Sequence, residues 1–134
     1  MHKQIFKVFI SAVLIMLLIT LSSCSSYSSH YKAVGFVHTN TRKHASMNFV
    51  SFEGSMVFKL KCENDDEKIS FSAHLETGSA KVFYDCNGTK TELFSIDSGC
   101  DINEIGGNLQ KGTVYIIVEI TGTGQNGRFE FDIN

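Results

Sequence analysis

An all-β fold, an antiparallel β-sandwich of jelly-roll-like or Ig-like size preceded by a helical signal peptide, is what this sequence predicts, on three observations. Apolar and polar residues alternate with period two over several stretches, while helical spacing is nearly absent after the first thirty or so residues. Turns rich in Gly, Asn, Asp and Ser interrupt those stretches roughly every 8 to 12 residues, the rhythm of a sandwich or barrel. The single long apolar run stands at the very start, behind two lysines.

That start is read as a leader over residues 1–23. Lys3 and Lys7 precede the apolar run Val8–Leu21, and the small residues Ser22 and Ser23 follow it, which is the layout of a signal peptide. The run is 14 residues long, whereas crossing a bilayer takes roughly 20. Leu21-Ser22-Ser23-Cys24 resembles the bacterial lipobox, and the resemblance implies that Cys24 receives a diacylglyceryl group and becomes the first residue after cleavage. Two or more acyl chains hold stably where one holds marginally. Ser25, in place of an aspartate, implies outer-membrane sorting in a Gram-negative cell; in a Gram-positive cell the anchor sits on the outer face of the cell membrane. Residues 24–31 (Cys-Ser-Ser-Tyr-Ser-Ser-His-Tyr) then read as the lipidated cysteine and a polar tether reaching at most about 25 Å.

Residues 32–134 form the expected sandwich domain. Met56–Cys62 places Met56, Phe58, Leu60 and Cys62 on one face and Lys59 and Lys61 on the other. Lys68–Glu76 alternates likewise, with Ile69, Phe71, Ala73 and Leu75 inward and Ser70, Ser72 and His74 outward. Thr77-Gly78 separates this run from Ala80–Cys86, and a two-residue glycine connection predicts a tight hairpin in which His74 faces Lys81 and Ser72 faces Phe83. Further strands are expected at Glu92–Ile96, Thr113–Thr121 and Arg128–Ile133, the last two joined by the loop Gly122–Gly127, with less regular ones near Ala33–His38 and Ser46–Phe52. Phe58, Phe71, Leu75, Val82, Val114, Ile116, Val118, Phe129 and Phe131 are the expected core.

Charge narrows the function classes. With the leader removed, ten basic residues face 14 acidic ones, and no basic stripe of the kind that tracks nucleic acid is present. His30, His38, His44 and His74 are scattered, and the acidic groups Glu63–Glu67 and Asp97/Asp101/Asn103/Glu104 lack calcium-loop spacing, so no metal and no cofactor is expected. Gly-x-Ser-x-Gly and phosphate-cradling loops are absent from the sequence, and no catalytic residue is assigned. Phe83, Tyr115 and Ile117 fall on faces that alternation gives to solvent. They are the candidate binding patch for a protein or sugar partner, unless the strands near Phe36 and Phe49 cover them.

Asn48–Gly54, Gly78–Asp85, Lys111–Glu119 and Gly127–Phe131 resemble small lipoproteins of Firmicutes-type bacteria. More distantly, Tyr84-Asp85-Cys86, Ser98-Gly99-Cys100 and the C-terminal strands are similar to the bacterial pre-peptidase C-terminal domain. That likeness implies a non-catalytic β-sandwich with a disulfide between Cys86 and Cys100; three unbridged thiols at Cys62, Cys86 and Cys100 are the alternative reading. The expectation is a membrane-tethered interaction or structural module of the cell envelope, facing outside the cytoplasm, with an envelope protein or glycan as its partner. A carbohydrate- or small-ligand-binding lipoprotein is the alternative, and a small envelope enzyme the third.

Overall fold

The computed structural model describes residues 27–134; the leader and Cys24 lie outside the described residues. Seven strands are present: β1 His30–Val34, β2 Val37–Asn40, β3 His44–Cys62, β4 Ile69–Asp85, β5 Thr91–Ile96, β6 Cys100–Gly106 and β7 Gly112–Ile133. All pairings are antiparallel. β7 lies between β3 and β4, β1 and β2 add to the free edge of β3, and β5 and β6 add to that of β4.

Three of these strands are far longer than the 5 or 6 residues usual for a strand, because each turns a corner without ending. The predicted hairpin at Thr77-Gly78 is not formed. β4 runs through it with a register shift between Thr77 and Ser79, so His74 lies opposite Arg128 and Asp101 and not Lys81. The predicted loop Gly122–Gly127 is likewise part of one strand, β7, and Ser46–Phe52 joins Met56–Cys62 in β3 through a bulge at Glu53/Gly54. Bulges bend a strand while keeping its pairing. Here the three bends are side by side, since Gly54 is in register with Ile120 and Ser79 with Thr121.

Glycine is required on this fold line. Gly54 has φ +106°, and a Cβ there would stand 2.1 Å from the His30 carbonyl oxygen as β1 crosses the corner. Gly78, at φ +104°, would drive a Cβ to 2.9 Å from the Thr123 carbonyl oxygen. Sequence alone reads Gly78 as a hairpin turn, because a hairpin and a corner both ask for positive φ.

Folding along this line turns one sheet into two facing layers. The first has the order β2-β3-β7-β4-β6, using His44–Glu53 of β3, Ile69–Thr77 of β4 and Thr123–Ile133 of β7. The second has the order β3-β7-β4-β5, using the other half of each long strand, while β1 lies across the corner, paired with Ser51–Ser55 of β3. Aromatic rings bridge the layers: Phe94 of β5 stacks on Phe71 at 4.6 Å and lies 6.5 Å from Phe129, and Phe58 lies 6.2 Å from Phe131. Stacked pairs of this kind add to burial. All nine expected core residues are buried. β6 was not anticipated; Cys100–Gly106 alternates weakly and only Ile102 packs inward.

The expected tether ends earlier than the composition suggests. β1 starts at His30, and residues 27–29 already lie against the second layer. The Ser29 hydroxyl accepts the Val57 N–H at 2.8 Å, while the Tyr27 hydroxyl donates to Asp85 at 2.5 Å.

Candidate binding site

The sequence-predicted patch is assembled but not open. Phe83 and Ile117 are neighbours in register, and Tyr115 is two residues along β7 on the same outer face. Ile117 is only 3% exposed. Tyr27 lays its ring 5.3 Å from that of Tyr115, and Lys90 sits 4.3 Å over the Phe83 ring while pairing with Glu119 at 2.8 Å. The cover comes from the N-terminal segment and from Lys90, not from the strands near Phe36 and Phe49, whose rings pack with Tyr31 and Phe52.

Asp85 explains why Tyr27 stops there. It is the buried charged residue of the core, 4% exposed, and its carboxylate accepts the N–H groups of Asn87 and Gly88 at 3.2 and 2.7 Å in addition to the Tyr27 hydroxyl. A buried carboxylate demands such donors. The Tyr27 phenol is pushed up to about 12, first by that hydrogen bond, then by burial and by the Asp85 charge.

The other outer face, on the first layer, is polar and open. β2, β3, β7, β4 and β6 each contribute one residue to a single row: Val37 is in register with Asn48, Asn48 with Arg128, Arg128 with His74, and His74 with Asp101. Period-two alternation turns all five outward, because Met47, Phe49, Phe129, Ala73 and Leu75 beside them are buried. Asn48, Arg128, His74 and Asp101 line an open depression of about 550 Å³ together with Val50 and Asn126. Gly127 forms part of its floor, with the Phe49 ring packed where a Cβ would otherwise stand.

Within the depression the groups are preset. His74 Nδ1 donates to Asp101 at 2.6 Å, and Asn126 donates to Glu76 at 2.6 Å. Arg128 makes no ion pair among the described residues, so its guanidinium can donate outward with Asn48 beside it. A base held by a carboxylate is half of a nucleophilic constellation, yet among the described residues no hydroxyl or thiol hydrogen-bonds the other ring nitrogen of His74. The arrangement offers donors and acceptors at fixed spacing, which suits binding.

Of the two acidic groups, Glu63–Glu67 serves the fold, while the second contributes Asp101 to the row. Glu67 accepts from the Cys62 thiol and the Glu63 and Asn64 N–H groups, Glu63 pairs with Arg42 and Lys43, and Asp65 accepts the Lys111 N–H. The Cys86–Cys100 disulfide implied by resemblance is not formed; all three described cysteines are free thiols. Cys100 is in register with Leu75 near the β4 corner, whereas Cys86 follows the far end of that strand, far beyond the roughly 7 Å Cα separation a bridge tolerates.

No protein-family model and no curated protein matches the sequence. Solved structures do match. TmCBM61, solved in complex with β-1,4-galactotriose, is 15% identical with a TM-score of 0.53, over 79% of this chain and 87% of that one. The pre-peptidase C-terminal domain of collagenase from Bacillus anthracis is 14% identical with a TM-score of 0.48, over 72% and 91%. PliG, a periplasmic inhibitor of g-type lysozyme from Aeromonas hydrophila, is 11% identical with a TM-score of 0.47, over 69% and 88%. The likeness to TmCBM61 shows a shared sandwich fold.

Sequence alternation places His74 outward and leaves Asp101 in an acidic group, without joining the two, and gives no signal for Asn48, Asn126 or Arg128. Each strand taken alone shows only a polar residue between apolar ones. The row exists only once strand order and register are known.

Proposed function

We propose that this chain is a non-catalytic, carbohydrate-binding lipoprotein of the bacterial cell envelope, held by acyl chains on Cys24 and binding sugar across the Asn48–Arg128–His74–Asp101 row. The observation that carries the reading is that row: four polar side chains from adjacent strands, in one register, in an open depression of about 550 Å³. Sugar hydroxyls are donors and acceptors together, and they are met best by planar groups that present paired donors or acceptors, as Arg, Asn and Asp do. Val50 and Val37, 55% and 65% exposed, supply apolar surface beside the row for the C–H face of a ring. A shared fold does not by itself transfer a ligand, but TmCBM61, a sandwich of this fold, holds β-1,4-galactotriose, and this makes β-linked galactan a sensible first probe. The sequence reading favoured an unspecified interaction module and put sugar binding second, on the Phe83 patch; the polar row on the opposite face now supports the sugar reading better.

Affinity electrophoresis of the purified protein through gels containing β-galactan and other envelope polysaccharides tests it. Retardation by at least one polysaccharide is expected. Arg128→Ala should weaken binding at least tenfold, about 1.4 kcal/mol, as the loss of charged hydrogen bonds worth about 1.5 to 3 kcal/mol would produce, with the unfolding temperature unchanged. Retardation equal in parent and Arg128→Ala would remove the row from the reading.

A further inference from the structure

We propose that the outer face of the β3-β7-β4-β5 layer is the surface this protein lays against anionic phospholipid headgroups, with the contact of Tyr27 with Asp85 setting that orientation. The inference rests on the lipidation of Cys24 proposed above.

Three observations converge on this face. The chain approaches it from the N-terminus: Tyr27 crosses over Tyr115 to reach Asp85, and Ser29 is bonded to Val57. Cys24 is three residues before Tyr27, so a lipid-bearing residue stays within roughly 10 Å of a side chain docked on the face. The face is also rich in amines. Lys59, Lys61 and Lys81 stand outward between the buried residues Phe58, Leu60, Cys62, Ala80 and Val82, and Lys90 rises over Phe83. Of the carboxylates there, Asp85 is buried and satisfied, Glu119 is held by Lys90, and Glu92, in register with Phe83, is exposed.

The opposite outer face differs in sign. Glu130 and Asp132 of β7 and Asp101 of β6 point outward there around Arg128, so an anionic surface repels it. The field of an anionic membrane decays over a Debye length of about 8 Å at physiological salt, and the leash is of comparable reach. Lysines held that close feel the headgroups, whereas a domain on a long free tether would tumble out of range. The orientation turns the polar row away from the bilayer, toward the space where envelope polysaccharide lies.

Amine footprinting of the mature lipoprotein tests the proposal. The protein, purified from membranes, is placed in vesicles of phosphatidylcholine with phosphatidylglycerol, in vesicles of phosphatidylcholine alone, and in detergent micelles. It is then acetylated briefly with a water-soluble ester and read by mass spectrometry. Lys59, Lys61 and Lys81 should react about fivefold more slowly in phosphatidylglycerol vesicles than in micelles, while Lys68, just before β4 with its amine bonded to Gly107 and Asn108, reacts equally in both. Tyr27→Ala should abolish the difference; should that variant not fold, the pair Lys59→Glu and Lys81→Glu should abolish it at Lys61. Equal rates in vesicles and micelles, equal protection in phosphatidylcholine alone, or an N-terminal peptide without acyl chains on Cys24 would each overturn the proposal. Arg128→Ala should leave the footprint intact, so that a failure of sugar binding and a failure of orientation are read separately.

Discussion

Individual side chains in this protein do unusual work where the apolar pattern breaks. Cys62 is buried and its thiol is pushed up to about 11, by burial first and then by the hydrogen bond to Glu67. The same contact acts in the opposite sense on the acid: with the Glu63 and Asn64 N–H groups and Lys43 nearby, it holds Glu67 down at about 2 from an ordinary 4.5. A carboxylate whose pKa falls on folding contributes stability that is whole above its unfolded value and is lost as the pH drops through its folded value. The thermal unfolding temperature of the parent should therefore fall by a modest amount, limited by solvent screening, between pH 4.5 and 2. Glu67→Gln should be less stable than the parent at neutral pH and flatter across that acid window. Parallel curves for the two proteins, followed by circular dichroism, would remove Glu67 from the account. Tyr27 has the reverse sign: its raised pKa means that its contribution is complete below pH 10 and fades toward pH 12.

Among the elements, the bends in β3, β4 and β7 decide the architecture. Without them the three strands would be one flat ribbon, and Phe58 could not meet Phe131, nor Phe94 meet Phe71. Gly54 is the most constrained of the corner positions, since a Cβ there would come closest to neighbouring backbone, that of β1, whereas one at Gly78 would stop 2.9 Å from Thr123. Gly54→Ala is expected to cost at least about 2 kcal/mol, the sum of a strained left-handed backbone and a displaced strand. Denaturant unfolding gives that number directly. Gly88→Ala, where the added methyl would meet nothing within 4 Å despite φ +90°, should cost less and serves as the control. An equal loss at both sites would mean that backbone strain alone, and not the β1 crossing, makes Gly54 necessary.

At the scale of the whole molecule, the two outer faces are assigned different partners: a polar row for sugar on one, a lysine face for the bilayer on the other. Only the second depends on where the N-terminus is held. Replacing Cys24 by Ala is expected to move the protein from the membrane fraction to the soluble exported fraction. Immunoblotting of fractionated cells reads this, and unchanged membrane retention would count against the lipid anchor. A released protein should still bind polysaccharide in solution, because no residue of the row touches Tyr27 or the strands' lysine face.

The sequence by itself determined the all-β class, the inward residues of the long strands and the polarity of each strand face, because side-chain alternation is a local property set by the pleat and by which atoms water rejects. It also carried the leader and lipobox reading, which depends on contiguous residues. Only the folded pairing shows that Gly78 and Gly122 belong to corners inside long strands and not to a hairpin turn and a loop, since positive φ is common to both and the partner strand distinguishes them. The tertiary structure alone placed Tyr27 over Tyr115 and set Asn48, Arg128, His74 and Asp101 in one row. Those contacts join residues up to 88 positions apart, and register between distant strands is fixed by packing across the whole sheet, which no local pattern records.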